Sequence, residues 1–177
     1  MKKILSAILV AMLLMSLTMS AFAATGLGSY TSVTVTAATA EKAGTVAADT
    51  TMCAVTLDDE GKIVAISFDV MQAKGAFDAA GAVSGEASIE PQTKMEKLEG
   101  YNMRAASPIG KEYYEQMAAL EAWCIGKTVA EVLAMPVMDR GDGSHTHVPT
   151  DVDLAAGCSI TVRDHLAALE KAAADAK

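Results

Sequence analysis

The stretch that decides the fold is Thr45-Val-Ala-Ala-Asp-Thr-Thr-Met-Cys-Ala-Val-Thr-Leu57, then Asp58-Asp-Glu-Gly61, then Lys62-Ile-Val-Ala-Ile-Ser-Phe-Asp-Val-Met71. Both long runs are rich in β-branched residues, which favour an extended backbone. The connection between them is short and acidic, and Gly61 tolerates the left-handed conformation that such turns need. The pattern therefore predicts an antiparallel β-hairpin.

More strands are predicted on either side of this hairpin. Before it, polar and apolar residues alternate over residues 29–37, with Val33 and Val35 set against Thr34 and Thr36, which is typical of a strand. After it, residues 72–100 contain several glycines and are less regular. Short edge strands are predicted there, within residues 82–89.

The C-terminal half carries helix signals. Ser107-Pro108 predicts the N-cap and first position of a helix that ends at Gly126. Thr128 and Glu131 have the spacing of a capping box and predict a short helix over 129–135. An amphipathic pattern predicts a last helix over 162–174. The fold class is therefore α+β: an antiparallel sheet packed with two or three C-terminal helices.

The N-terminus predicts export. Lys2 and Lys3 precede an apolar run, and Ala21-Phe22-Ala23 places small residues where a signal peptidase cleaves. We expect residues 1–23 to be a signal peptide and 24–177 to form a single domain, secreted or held at the cell surface. An uncleaved membrane anchor is the alternative, although the apolar run is short for one.

Charge and cysteine content limit the possible functions. The chain has 14 Lys and Arg against 22 Asp and Glu, a formal charge of −8 at pH 7, so nucleic acid is not an expected partner. Of its three cysteines, Cys53 and Cys124 could form a disulfide bond and leave Cys158 unpaired. We favour the other interpretation, three small buried hydrophobic side chains, because no metal-ligand spacing is present.

A turn rich in small residues, Asp153-Leu-Ala-Ala-Gly-Cys-Ser-Ile-Thr161, leads into the last helix. Gly157 permits close backbone approach, Ser159 and Thr161 offer hydroxyl groups, and the following helix presents free N–H groups. A phosphate-binding site requires these three features. The alternative is purely structural, because Thr161 and Asp164 have the spacing of a capping box.

Asp153, Gly157 and Ser159 match a motif, Asp-x-x-Ser/Thr-Gly-Ala-Thr/Ser, in which Ala156 and Cys158 replace the usual residues. On this motif and the hairpin Val55–Ile63, the chain resembles the exported FMN-binding domain family. The resemblance implies that Ser159 is the hydroxyl carrying FMN through a phosphoester, Asp153 the motif acid and Gly157 the turn glycine. It also implies a flavin transferase and a membrane or surface redox partner.

The middle of the chain resembles uncharacterised exported proteins of Gram-positive anaerobes. The resemblance lies in Thr93-Lys-x-Glu96, Tyr101-x-Met103 and Ser107-x-Ile-Gly-Lys-Glu112. If flavin is bound, the cofactor carries the electrons and the protein supplies attachment and orientation. Tyr101, Tyr113, Tyr114 and Trp123 could stack on its ring; Tyr101 is favoured because it lies in a loop, whereas Trp123 is expected in the core. The expected cofactor-binding residues are Asp153, Gly157, Cys158, Ser159, Thr161 and Tyr101.

Two other interpretations remain. His145 and His147 lie in a glycine-rich loop near Asp139, Asp142 and Asp151, which is a weak metal-binding signal; we expect a solvated loop without bound metal. The sequence is also compatible with an exported non-redox module that binds a small molecule or another protein on the same fold. No hydrolase or nucleotide-loop motif is present.

Overall fold

The computed structural model describes residues 23–84 and 88–177, so the predicted signal peptide lies outside the described residues except for Ala23. Strands come first and helices dominate later, which confirms the predicted α+β class. The elements are β1 Ala24–Thr36, β2 Gly44–Leu57, β3 Ile63–Phe77, β4 Ser88–Ile89, a 3₁₀ turn Leu98–Tyr101, α1 Tyr113–Cys124, α2 Val129–Leu133, β5 Val137–Met138, β6 Val148–Pro149, α3 Val152–Ala155 and α4 Arg163–Asp175.

The predicted hairpin is the centre of a four-stranded antiparallel sheet with the order β1-β2-β3-β4. β2 and β3 pair along their length, and Gly61 adopts a φ of +74° in the turn, as its position predicted. The strand predicted at 29–37 overlaps β1, which starts earlier, at Ala24, and ends at Thr36. β5 and β6 form a separate two-stranded sheet.

The edge strands predicted within residues 82–89 are confirmed in part. Among the described residues of this range, Ser88–Ile89 forms a strand that pairs with Lys74 and Ala73 of β3, and Val83 makes an isolated bridge to Phe77. Residues 85–87 lie outside the described residues.

The helix predicted from Ser107 begins later, at Tyr113. Gly110 has a φ of +63°, which a right-handed helix does not allow. Glu112 is the N-cap and forms a capping box with Glu115. Its carboxylate also accepts the backbone N–H of Met103, at 3.0 Å, and of Arg104, at 2.8 Å, so it fixes the preceding loop against α1.

The later helices follow the sequence more closely. Thr128 and Glu131 form the predicted capping box of α2, which ends at Leu133, before the expected 135. The last helix begins at Arg163, one residue after the predicted start. The single turn of α3 was not predicted; Asp151 caps it by accepting the N–H of Asp153.

α4 lies almost in backbone contact with the sheet. A Cβ placed on Gly28 would come within 2.3 Å of the carbonyl oxygen of Ala168, and one on Gly26 would overlap the carbonyl oxygen of Ala172. Glycine facing alanine thus allows the close approach. The buried core lies between this sheet face, α1 and α4, and includes Val55, Phe68, Val70, Met117, Leu120 and Leu169.

The three cysteines are buried in this core and unpaired, as the buried-hydrophobe interpretation expected. Burial raises the pKa of Cys53 and Cys124 to about 12 and that of Cys158 to about 11. These thiols are therefore protonated and unreactive near neutral pH. No helix within residues 23–84 and 88–177 is long and apolar enough to cross a membrane.

Candidate functional site

The residues of the Gly157–Ser159 turn pack against α1. Ser159 is 5% exposed, and its N–H and hydroxyl both donate to Oε1 of Gln116, at 2.8 and 3.2 Å. A Cβ on Gly157 would lie 2.7 Å from that of Ala119, so this glycine allows the turn to touch the helix. Cys158 belongs to the core. These three predicted residues thus form a packed turn.

Asp153 lies apart from that turn, exposed in the first turn of α3. The carboxylate that organises this region is Asp151, whose Oδ1 accepts the N–H of Asp153 at 3.0 Å and the indole N–H of Trp123 at 3.1 Å. Trp123 also packs against the core, as the sequence predicted for it. Its role is to hold α1 to the turn before α3.

Thr161 does not cap α4, so the predicted capping box with Asp164 is wrong. Val162 is the N-cap, and α4 has no side-chain cap. The Thr161 hydroxyl donates instead to the carbonyl oxygen of Ser144, at 3.3 Å. The N–H groups of residues 163–165 consequently have no acceptor in the part of the chain that the structure describes. The start of α4 is an open, electropositive helix end.

A cavity of about 220 Å³ borders this helix end. Its walls come from β2, β3, the segment after β4, the loop between β5 and β6, and the first turn of α4. Hydroxyl, cationic and anionic side chains share this small space. The lining residues are Asp49, Thr51, Val70, Lys94, Ser144, Thr161, Arg163, Asp164 and His165.

His165 supplies the most unusual group of the cavity. The side chain is 5% exposed, its Nε2 lies 3.0 Å from the hydroxyl of Tyr113, and its ring meets Phe68 edge-on at 5.5 Å. Its Nδ1 is buried and has no hydrogen-bond partner among the described residues. Buried polar atoms are almost always paired, so this nitrogen is a candidate contact for a ligand or a water molecule.

The protonation state of this pair follows from its surroundings. Burial, helped by the positive charge of Lys94, lowers the pKa of His165 to about 4, so the ring is neutral at pH 7. Burial raises the pKa of Tyr113, which therefore keeps its proton. In the tautomer where Tyr113 donates to Nε2, His165 Nδ1 carries the hydrogen and has no acceptor among the described residues.

Lys94 also lines the cavity. The turn from Thr93 to Glu96 positions Lys94. The backbone N–H of Thr93 donates to the Glu96 carboxylate at 2.8 Å, and the backbone N–H of Glu96 donates to the Thr93 hydroxyl at 3.2 Å. Its ammonium lies 3.3 Å from Asp49 and 5.5 Å from the ring centre of Tyr101. Tyr101 therefore lies one side chain behind the cavity, and Thr161 is the one predicted cofactor residue that lines it.

The loop carrying His145 and His147 is organised by local hydrogen bonds. Asp142 accepts the N–H groups of Ser144 and His145 and lies 2.7 Å from the imidazole Nδ1 of His145; these bonds lower the pKa of Asp142 to about 2. Arg140 ties the loop to the neighbouring turn by donating to the carbonyl oxygen of Ser159 at 2.9 Å. Within the described ranges, no group of three potential metal ligands converges.

Comparison with known proteins gives one partial similarity. The chain is 37% identical over 93 residues to a chlorophenol reductase of Desulfitobacterium hafniense. The match covers 46% of this chain and 28% of the reductase, so the chain spans little more than a quarter of that protein's length. No family model and no solved structure matches the chain.

Proposed function

We propose that this chain is an exported electron-transfer domain that binds a phosphate-bearing flavin, FMN, at the open end of α4. The observation that carries the proposal is the uncapped helix start beside the unpartnered, buried Nδ1 of His165. Either feature alone has structural explanations. Together they provide hydrogen-bond donors that belong to residues lining one small cavity and that have no acceptor among the described residues.

The donor set fits a phosphate. Free N–H groups at a helix start bind anions well, because they combine hydrogen bonding with the positive end of the helix dipole. Lys94 and Arg163 add two cations, and His165 adds a neutral N–H. Lys94 pairs with Asp49 at 3.3 Å, and Arg163 pairs with Asp164 at 3.1 Å. A phosphate would compete with these two carboxylates for the same cations.

The size of the cavity supports our proposal that it holds only the phosphate end of the ligand. Pockets for whole drug-sized molecules usually measure roughly 300–1,000 Å³, more than the 220 Å³ found here. The tricyclic ring would therefore extend beyond this cavity. When bound, the flavin would supply the electron-transfer chemistry, and the protein would hold it and exclude water. Similarity to a protein named chlorophenol reductase agrees with a redox role.

Two hydroxyl groups are candidates for a phosphoester. Ser159 has the motif position, yet its hydroxyl is buried against Gln116. Thr161 lines the cavity, with its hydroxyl bonded to the carbonyl oxygen of Ser144. We propose that the phosphate end binds non-covalently through the groups described above, and that Thr161 is better placed than Ser159 for any covalent attachment.

Expression of the chain with and without a flavin transferase tests these proposals. Flavin absorbance in the native protein that disappears on denaturation supports non-covalent binding, whereas absorbance that survives denaturation shows a covalent bond. Ser159→Ala and Thr161→Ala then identify the hydroxyl that carries it. A colourless protein that also fails to bind added FMN would contradict the proposed function.

Export and a redox partner complete the proposal. The basic, apolar and small-residue order of residues 1–23 supports secretion, with cleavage after Ala23. An exported flavin domain needs an electron donor and an acceptor, which we place at the membrane or cell surface. Mass analysis of protein recovered outside the membrane tests this: a mature N-terminus at Ala24 supports export, and an intact N-terminus at Met1 contradicts it.

A further inference from the structure

β1 is an edge strand, and α4 covers only part of its open edge. The N–H of Thr25 donates to the carbonyl oxygen of Lys177, at 3.3 Å. The N–H of Leu27 donates to Asp175 at 3.4 Å, and the carbonyl oxygen of Ser29 accepts the ammonium of Lys171 at 2.9 Å. These contacts show that the odd-numbered residues of β1 direct their backbone groups away from β2.

The same alternation continues beyond the reach of α4. β1 and β2 pair without a register shift from Ala24 to Thr36, so Thr31, Val33 and Val35 also direct their N–H and C=O groups outward. Within the described residues these groups have no partner. Natural proteins usually protect such an edge with a charge, a proline or a bulge, and residues 30–37 contain no charge and no proline.

The side chains along this free edge are apolar and exposed. Val33 is 61% exposed and Val35 is 64% exposed. In the sheet register they lie opposite Ala48 and Val46 of β2, which continue the apolar surface inward. The free half of β1 therefore offers an unpaired strand edge together with an uncharged, apolar sheet face.

We propose that a second copy of this chain pairs with residues 31–35 of β1, antiparallel and about a two-fold axis at Val33. The unpaired, evenly spaced backbone groups require an extended strand as the occupant. The charge pattern favours an uncharged strand as the occupant, and a second copy of this segment supplies one: residues 30–37 carry no charge, so no like charges face each other within the contact and no oppositely charged partner is selected.

Two-fold antiparallel pairing satisfies both strands at once. Each outward-facing residue faces an outward-facing residue of the other copy, and each such pair exchanges two hydrogen bonds, about six bonds over residues 31–35. The exposed valines of the two copies become cross-strand neighbours on one sheet face. The contact is isologous and closes as a dimer without leading to a filament.

Sedimentation velocity over a wide concentration range tests the proposal. The wild-type protein should form a concentration-dependent dimer. Val33→Pro removes one outward N–H without touching the β2 ladder, and Val33→Lys adds a charge at the axis. Each should weaken dimerisation at least tenfold. Val152→Lys is the matched control, because Val152 is 85% exposed on α3 and should leave the dimer unchanged.

Circular dichroism and urea unfolding establish that each variant is folded. If Val33→Pro is unfolded, Val33→Lys gives the decisive comparison with Val152→Lys. A wild-type protein that stays monomeric at every concentration would overturn the proposal. So would a dimer that survives both Val33 variants but is lost in Leu27→Lys, since that pattern would indicate stacked sheet faces in place of paired edges.

Discussion

Gln116 holds Ser159 through a single buried oxygen: Oε1 accepts the Ser159 N–H at 2.8 Å and its hydroxyl at 3.2 Å. The amide nitrogen of Gln116 donates to the hydroxyl of Ser107 and to the carbonyl oxygen of Lys111, both at 3.1 Å. One side chain in the core thereby joins the start of α1 to the turn before α4. This explains why the turn is closed although its residues resemble a cofactor motif.

The two partners of this bond should differ in their effect on stability. Gln116→Leu leaves the buried N–H and hydroxyl of Ser159 without an acceptor, so we expect a loss of about 2–3 kcal/mol in the free energy of unfolding. Ser159→Ala removes only the longer bond and should cost about 1 kcal/mol. Urea unfolding measures both. Equal losses would show that the backbone N–H of Ser159 does not depend on Gln116.

Gly28 should be indispensable for the seating of α4. In Gly28→Ala the new methyl group would meet the backbone of Ala168 and Ala172 at 2.3 Å, so α4 must shift, at a cost of at least about 2 kcal/mol. Gly100→Ala is the matched control, because a Cβ there meets nothing within 4 Å. Its effect should stay within about 0.5 kcal/mol. Thermal unfolding that ranks the two variants equally would contradict the close packing.

Local signals were sufficient for the central hairpin but not for the short strands or for every helix boundary. The hairpin could be predicted because β-branched runs and an acidic glycine turn act over a few residues. The start of α1 could not, because Ser107-Pro108 is a good local start signal, whereas the boundary depends on the positive φ of Gly110 and on Glu112 binding distant N–H groups.

The candidate site was predicted only in outline. The last helix start was expected to bind phosphate, and Thr161 does line the cavity there. Lys94 and His165 were missed because they are far apart in sequence and meet only through the packing of three segments. His165 Nδ1 lacks a hydrogen-bond partner because the ring is buried against Phe68 and Tyr113, and a short sequence motif does not reveal this tertiary packing.

Stability should fall as the pH is lowered through the range where His165 resists protonation. Its pKa is about 4 in the folded protein against 6.5 as the ordinary value. Between these values the unfolded chain binds a proton that the folded chain does not. The contribution of neutral His165 to the free energy of unfolding is therefore complete above pH 6.5. It is lost as the pH falls towards 4, by about 3 kcal/mol in total.

Urea unfolding at several pH values, for wild type and His165→Phe, measures this contribution as a difference. The other charged groups that line the cavity are present in all of these proteins, so the difference between wild type and variant isolates His165. His165→Gln serves if the phenylalanine variant does not fold. A wild-type profile that runs parallel to both variants between pH 6.5 and 4 would show that His165 is not held neutral.

Lys94 should contribute to FMN affinity through the phosphate. Lys94→Gln keeps a long polar side chain but removes the charge, so FMN should bind about tenfold more weakly. Lys62→Gln is the control, since Lys62 pairs with Glu60 in the hairpin turn and does not line the cavity. Fluorescence titration compares them. An equal effect of both substitutions would indicate a general charge effect without a specific contact.

The central claim is that the open end of α4 holds the phosphate of a flavin. Parallel calorimetric titration of the wild-type protein with FMN and with riboflavin tests it most directly, because the two ligands differ only by that phosphate. We expect saturable FMN binding at least tenfold tighter than riboflavin binding. Equal affinity for both, or no FMN binding, would contradict it.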